Sequence, residues 1–184
     1  MMPKSPDQIY DELLVLNCQQ GNRDAFSELV ERWQKRLWCY AFQVTRSESA
    51  AWDIVQETWV AIIKGLSKLK DVTLFPPWTF RILNNKCADW LRQQQIQSRV
   101  DNQHRNHTHI DERPTSNDEQ SEFLQAAIAR LSANQRALLT LRYQQGFDIS
   151  EIAEILGVPE GTVKSRLHRT VTELRQLMGV THNE

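Results

Sequence analysis

The stretch DISEIAEILGVPEGTVKSRLHRTVTEL, residues 148–174, holds the residues whose types and spacing most clearly suit a chemical task. Asp148 followed three residues later by Glu151 is a capping box, which starts a helix burying Ile149, Ile152, Ala153 and Leu156. Gly157 stops that helix, and Pro159 pre-sets φ for a second start. At about 100° per residue, Val163, Leu167, Val171 and Leu174 form one apolar stripe on the second helix. The far side shows Gly161, Ser165, His168, Arg169 and Thr172, flanked by Thr162, Lys164 and Arg166. Cationic side chains on such a face can donate to guanine edges in the major groove, and Thr or Ser hydroxyls can bind phosphate. Gly161 costs about 1 kcal/mol of helix propensity relative to Ala, and its missing side chain lets another backbone approach. Two helices joined by a short Gly-containing turn, the second with a small, polar, basic outer face, make a helix-turn-helix. The competing reading of these residues is a helical hairpin with a solvated basic face. The capping box, the turn and the Gly-Thr helix start together favour the helix-turn-helix.

The elements that must position these groups are helical. Apolar residues recur at helical spacing nearly throughout, and no long stretch alternates as a half-buried strand would. The spacing predicts a first helix over 7–20, with Ile9, Leu13 and Leu16 on one side and Gly21 as its stop. A second covers 23–44, with Phe26, Leu29, Val30, Trp33, Leu37, Tyr40 and Ala41 as its core stripe. A third runs from the N-cap Ser47 to Leu66. A loop containing Phe75-Pro76-Pro77 follows, and a fourth helix begins at Trp78, since proline disfavours helix in the residue before it. Ile82, Leu83, Ala88 and Leu91 mark that helix before it fades after Arg92.

Residues 93–120 have no aromatic and, after Ile96, only Val100 and Ile110 as aliphatics, too few to offset the entropy of ordering. The histidines there, His104, His107 and His109, read as solvated, with no cysteine beside them to complete a metal site. Periodicity resumes at Phe123 and continues through Leu124, Ile128, Leu131, Leu138, Leu139 and Leu141. The expected fold is therefore all-α: two small helical domains, 1–95 and 121–184, joined by a flexible acidic linker over 96–120. The second domain contains the helix-turn-helix.

The formal net charge of −1 excludes a protein coated in positive potential but not a local basic face. Residues 81–99 carry four positive side chains against Asp89, and residues 161–177 carry four against Glu173, so each segment stands at +3. Between them, residues 100–122 hold six acids against Arg105 and Arg113, a balance of −4. No Ser/His/Asp set, metal cluster or Gly-rich phosphate loop is present, so neither an enzyme nor a bound cofactor is expected. No run approaches the roughly 20 apolar residues that cross a bilayer, so no membrane insertion is expected. Cys18, Cys39 and Cys87 form no CxxC knuckle and read as reduced thiols, consistent with a cytoplasmic location.

The C-terminal string LSANQRALLTLRYQQGFDISEIAEILGVPEGTVKSRLHRTVTELRQL, residues 131–177, resembles region 4 of the extracytoplasmic-function (ECF) sigma factors. The first lobe resembles region 2 of that family through GNRDAFSELVERWQKRLWCYA, DIVQETWVAIIKGL and PPWTFRILNNKCADWLRQQ. The two resemblances cover about four-fifths of the chain, in the family's order. They imply a promoter-specificity subunit with core RNA polymerase, promoter DNA and an anti-sigma factor as partners. The DxxQE-type stripe, Asp53, Gln56, Glu57 and Val60, would dock on the coiled coil of the polymerase's largest subunit. Without the resemblance, that stripe reads as a solvated face. Trp78, Phe80, Arg81, Asn85, Lys86 and Arg92 would open and read the −10 element, with aromatics stacking on unpaired bases and Asn85 holding a flipped one. The loop before them, KDVTLFPPW, departs from the family's short Gly, Ser and basic pattern. Lys164, Ser165, His168 and Arg169 would lie near base edges of the −35 duplex, with Thr162 and Arg166 on phosphates. The acidic linker would thread the polymerase's RNA-exit path. From the residues alone, a stand-alone helix-turn-helix regulator with a sensing first lobe remains open.

Overall fold

The structure is a computed structural model that describes residues 5–101 and 119–179. Among the described residues every regular element is helical, as the spacing predicts. The chain divides into two compact units, Met1–Trp90 and Leu91–Glu184.

In the first unit, α1 (Pro6–Gln19) begins at a capping box made by Ser5 and Gln8. Next, α2 (Arg23–Thr45) starts at Asn22, whose side chain accepts from Ala25 N. Ser47 caps α3 (Glu48–Gly65), accepting from Ala50 N as expected. The central element is α2, packed by α1 on one side and by α3 on another. Its Leu29, Trp33, Leu37, Tyr40 and Ala41 are fully buried. This is the predicted stripe, and Ile54, Val55, Ile62 and Leu66 meet it from the α3 side of the core.

The rotation of α1 differs from expectation. Ile9, Leu13 and Leu16 are exposed, and the buried pair is Leu14 and Val15. Burial of Leu14 and Val15 sets the face, and polar contacts accompany it. Arg32 of α2 pairs with Asp11 at 2.8 Å and Asp7 at 3.3 Å, and Tyr10 Oη donates to Glu28 at 2.6 Å. Asp7, Tyr10, Asp11 and Leu14 fall at i, i+3, i+4 and i+7, so these bonds lie on the same side of α1 as the buried Leu14.

Two short 3₁₀ turns, Leu66–Lys68 and Val72–Leu74, join α3 to α4 (Phe75–Asp101). The helix starts at Phe75, three residues before the expected Trp78. Pro76 and Pro77 lie in its first turn, where a missing N–H costs nothing. Phe75 is drawn into the helix because its ring is buried, edge-on to Trp33 at 5.0 Å. The helix also continues to Asp101, past the expected end near Arg92 and into the predicted linker. The rest of that linker, residues 102–118, with its three histidines, lies outside the described residues.

The second unit holds α5 (Glu119–Ala129), α6 (Ala133–Leu139), α7 (Ile149–Leu156) and α8 (Glu160–Leu177). A π-helical turn over Thr140–Gln144 continues α6, a feature that the apolar spacing does not announce. Its core is Leu131, Leu138, Leu141, Phe147, Ile152, Ile155 and Val163. The Arg136 guanidinium, also buried, donates to the Leu131 carbonyl, and Arg142 Nη1 donates to Phe147 O at 2.9 Å. These two bonds satisfy carbonyls at the bends between helices, where no ladder partner exists.

The predicted capping box at α7 is present: Glu151 N donates to Asp148 Oδ1 at 2.9 Å, and Asp148 N to Glu151 Oε2 at 2.8 Å. The Glu151 N–H and the Ser150 hydroxyl together hold the Asp148 carboxyl below the usual carboxylate range. A group with a depressed native pKa adds stability above its unfolded pKa and loses it as pH falls through the native value. Asp148→Ala should therefore cost about 1 kcal/mol at neutral pH. The gap between variant and wild type should narrow as pH drops below the carboxylate range. Urea unfolding of the full chain at neutral and acid pH checks both parts.

Candidate functional site

Three exposed faces carry the candidate residues, one each on α8, α4 and α3. On α8, the N-cap is Pro159, which supplies no side-chain bond, so the first turn keeps N–H groups directed outward. Gly157 takes the left-handed conformation, φ 66°, that ends α7 and turns the chain into α8. A Cβ built on Gly161 meets nothing within 4 Å, so the space in front of that turn is open. Val163 is fully buried, Leu167, Val171 and Leu174 are half-buried, and this inner side packs on α6 and α7. Thr170 is buried as well, its hydroxyl satisfied by Arg166 O at 2.8 Å.

Outward stand Lys164, Ser165, Arg166, His168 and Arg169, all exposed, with Thr162 half-buried beside them. Lys164 leans toward Glu160, 3.8 Å away, while among the described residues Arg166 and Arg169 have no carboxylate within ion-pair distance. Ser165 Oγ donates to Thr162 O at 3.1 Å, which leaves its lone pairs free to accept. The six predicted residues of this helix are thus brought together on one accessible face, with two guanidinium groups available to an anionic or guanine-bearing partner.

The second face lies along α4. Trp78, Arg81, Asn85 and Arg92 fall within about 60° of one another around the helix. Arg81, Asn85 and Arg92 are exposed, and Trp78 is half-buried. One side of the Trp78 indole lies on Gly65, where an added Cβ would come 2.9 Å from its Cζ2. The lone glycine at the end of α3 is the signal for this close approach, which the sequence reading passes over. The loop before α4 is held by Gln19, whose Nε2 donates to Leu66 O at 2.9 Å and Leu69 O at 2.7 Å. Asp71 accepts from Thr73 N at 2.9 Å.

Two of the six residues predicted for this face do not belong to it. Phe80 is fully buried, edge-on to Tyr40 at 5.5 Å and 6.4 Å from Trp33. Its ring is core and offers no surface to a base. The cause is helical geometry: Phe80 is two residues from Trp78, about 200° around the helix. Lys86 lies about 140° from Arg81, toward α3, where its Nζ bonds Glu57 Oε2 at 2.8 Å. Beneath the α4 face, Tyr40 Oη donates to Asn84 Oδ1 at 2.8 Å. Cys87 is buried with it, and burial pushes its thiol up to about 12.

The third face is on α3. Asp53, Gln56, Glu57 and Val60 are exposed along one side, opposite the buried Ile54, Val55 and Ile62. With Lys86 they line an open groove of about 590 Å³. Ile63 continues its apolar part outward. Among the described residues, no group of three or more His, Cys, Asp or Glu is arranged to hold a metal. No described helix is long and apolar enough to cross a membrane.

Comparison with known proteins identifies the family. Residues 29–96 match the family Sigma-70 region 2, and residues 122–174 match Sigma-70, region 4. The chain is 31% identical over 172 residues to the ECF RNA polymerase sigma factor SigM of Mycobacterium tuberculosis, covering 91% of this chain and 84% of that protein. It is 25% identical to the ECF sigma factor SigW of Bacillus subtilis, over 88% of this chain and 93% of that one. Among solved structures, CnrH in complex with the cytosolic domain of CnrY superposes with a TM-score of 0.66 at 25% identity, covering 94% of this chain and 99% of that one. The sigma factor RpoE of Bartonella quintana, in complex with the anti-sigma factor NepR, has the same fold: TM-score 0.72, 22% identity, 85% of this chain and 98% of that one. With both sigma-70 regions present in order, and a relative this similar along nearly its whole length, the chain belongs to the ECF sigma factors of the sigma-70 family.

Proposed function

We propose that this sigma factor directs promoter-specific initiation by dividing the task among its three faces and has no catalysis of its own. The α3 face docks on core RNA polymerase through Asp53, Gln56, Glu57 and Val60. The α8 face enters the major groove of the −35 duplex, with Lys164, Ser165, His168 and Arg169 toward base edges and Thr162 and Arg166 toward phosphate. The α4 face holds the opened −10 strand, Trp78 stacking on a base, Asn85 bonding one by its amide, and Arg81 and Arg92 attracting phosphate. Residues 1–95 and 121–184 act as the two DNA-engaging modules on either side of the linker.

The observation that carries this reading is the division of exposed charge. Cations outnumber carboxylates on the exposed sides of α8 and α4, where Glu160, Glu173 and Asp89 are interspersed, while Asp53 and Glu57 beside exposed Val60 and Ile63 mark α3. The local excess of one sign on each face selects the sign of its partner. Docking by an acidic and apolar groove suits a helical partner with basic and apolar side chains. DNA requires the cationic faces. An anti-sigma factor is a further proposed partner, supported by the complexes in which CnrH and the Bartonella RpoE were solved.

Purified full-length protein should co-elute with core polymerase and support run-off transcription from selected promoters. A protein that binds such DNA by itself and ignores the polymerase would instead be a stand-alone regulator. Arg169→Ala should weaken promoter binding by about 1–3 kcal/mol if it makes a bidentate base contact. Equal loss on random duplex would make Arg169 a phosphate contact. Trp78→Ala, with folding checked by its unfolding transition, should leave −35 duplex binding intact and lower permanganate reactivity across the −10 bubble.

A further inference from the structure

Lys86 is the one basic side chain of the first half of α4 turned away from the Arg81–Asn85–Arg92 stripe. Its ammonium sits 2.8 Å from Glu57 Oε2, and both side chains line the groove that also contains Asp53, Gln56 and Val60. Glu57 and Lys86 are 29 residues apart in sequence, so the pair exists only because α4 packs beside α3. We propose that Lys86 is a positioning residue of the docking groove and not a contact to DNA. The inference rests on the docking role given above to the α3 face.

The physical case is one of preorganisation. Glu57 is well exposed, its side chain 63% accessible, and an unanchored glutamate samples several rotamers. A partner's cation must then order it on binding. Lys86 holds one carboxylate oxygen, Oε2, and leaves Oε1 available to an incoming donor. Ordering one rotamer-rich side chain in advance is worth about two- to tenfold in affinity. The opposing effect is repulsion between Lys86 and a basic partner, which water and salt reduce at this exposed edge. The sign of the Lys86→Met effect decides between the two.

The test is a titration of labelled full-length protein with core polymerase, and permanganate footprinting at saturating polymerase. Lys86→Met should weaken polymerase binding about two- to tenfold. Lys86→Arg, which keeps a cation within reach of Glu57, should bind as the wild type does. In a Glu57→Gln background, Lys86→Met should add nothing, because its effect passes through that carboxylate. Opening of the −10 region at saturating polymerase should be unchanged. Unaltered or tighter polymerase binding by Lys86→Met would overturn the proposal. So would an opening defect that persists at saturation, which would return Lys86 to the DNA face. Should the wild-type protein itself fail to bind core polymerase, the docking reading is what falls, a result distinct from either.

Discussion

The packing of α2 against the start of α4 is the constraint on which the exposed groups of the first unit depend. Trp33 meets Phe75 edge-on at 5.0 Å, and Tyr40 meets Phe80 at 5.5 Å with perpendicular rings. Edge-to-face aromatic pairs of this kind add roughly 0.5–1.5 kcal/mol each beyond their buried area, and their geometry is directional. Two such pairs, two helical turns apart on α2, fix both the position and the rotation of α4. Once Phe75, Phe80, Leu83 and Cys87 are inside, Arg81, Asn85 and Arg92 have no choice but to face out. The part-buried Tyr40–Asn84 bond adds a polar lock, since leaving the buried Tyr40 hydroxyl unpaired would cost about 1–3 kcal/mol.

The same rotation delivers Lys86 to α3 and Trp78 to Gly65. A cationic stripe and an acidic groove thereby occupy neighbouring helices of one small unit without cancelling each other. Lys86 and Glu57 meet at the border between the two, so the groups proposed to serve a DNA strand and those proposed to serve a protein partner are divided by an ion pair. In an ECF sigma factor, docking and strand opening must work together, and a shared rigid core is the simplest way to keep the two surfaces in register.

The second unit relies on local rules. Its turn is set by the left-handed Gly157, its helix starts by Asp148 with Glu151 and by Pro159, and its inner stripe by Val163. Every one of these acts over a few residues, and the basic outer face follows from the period of the helix. A net charge of −1 is no obstacle to DNA binding when positive groups outnumber acids on one helix side.

What the amino-acid sequence settled unaided is what depends on near neighbours: the all-helical class, the caps at Ser47 and Asp148, the stop at Gly157, the core stripe of α2 and the outward face of α8. Backbone sterics, capping bonds and the 3.6-residue period act within one or two turns, so the order of residues suffices. Motif order over the two lobes pointed to the sigma factors for the same reason. Other features waited for the tertiary structure. Ile9, Leu13 and Leu16 look like a core stripe, yet α1 packs through Leu14 and Val15, with Arg32 and Glu28 pairing to the same side. Phe80 looks like a stacking platform beside Trp78, yet Tyr40 and Trp33 claim it. Phe75 joins its helix ahead of two prolines because burying the ring outweighs a local preference. Lys86 looks like one more cation for DNA, yet α3 supplies its partner. In each case a residue with two locally acceptable placements was assigned by a group far away in sequence, and helical period alone does not reveal which side of an amphipathic helix another helix will cover.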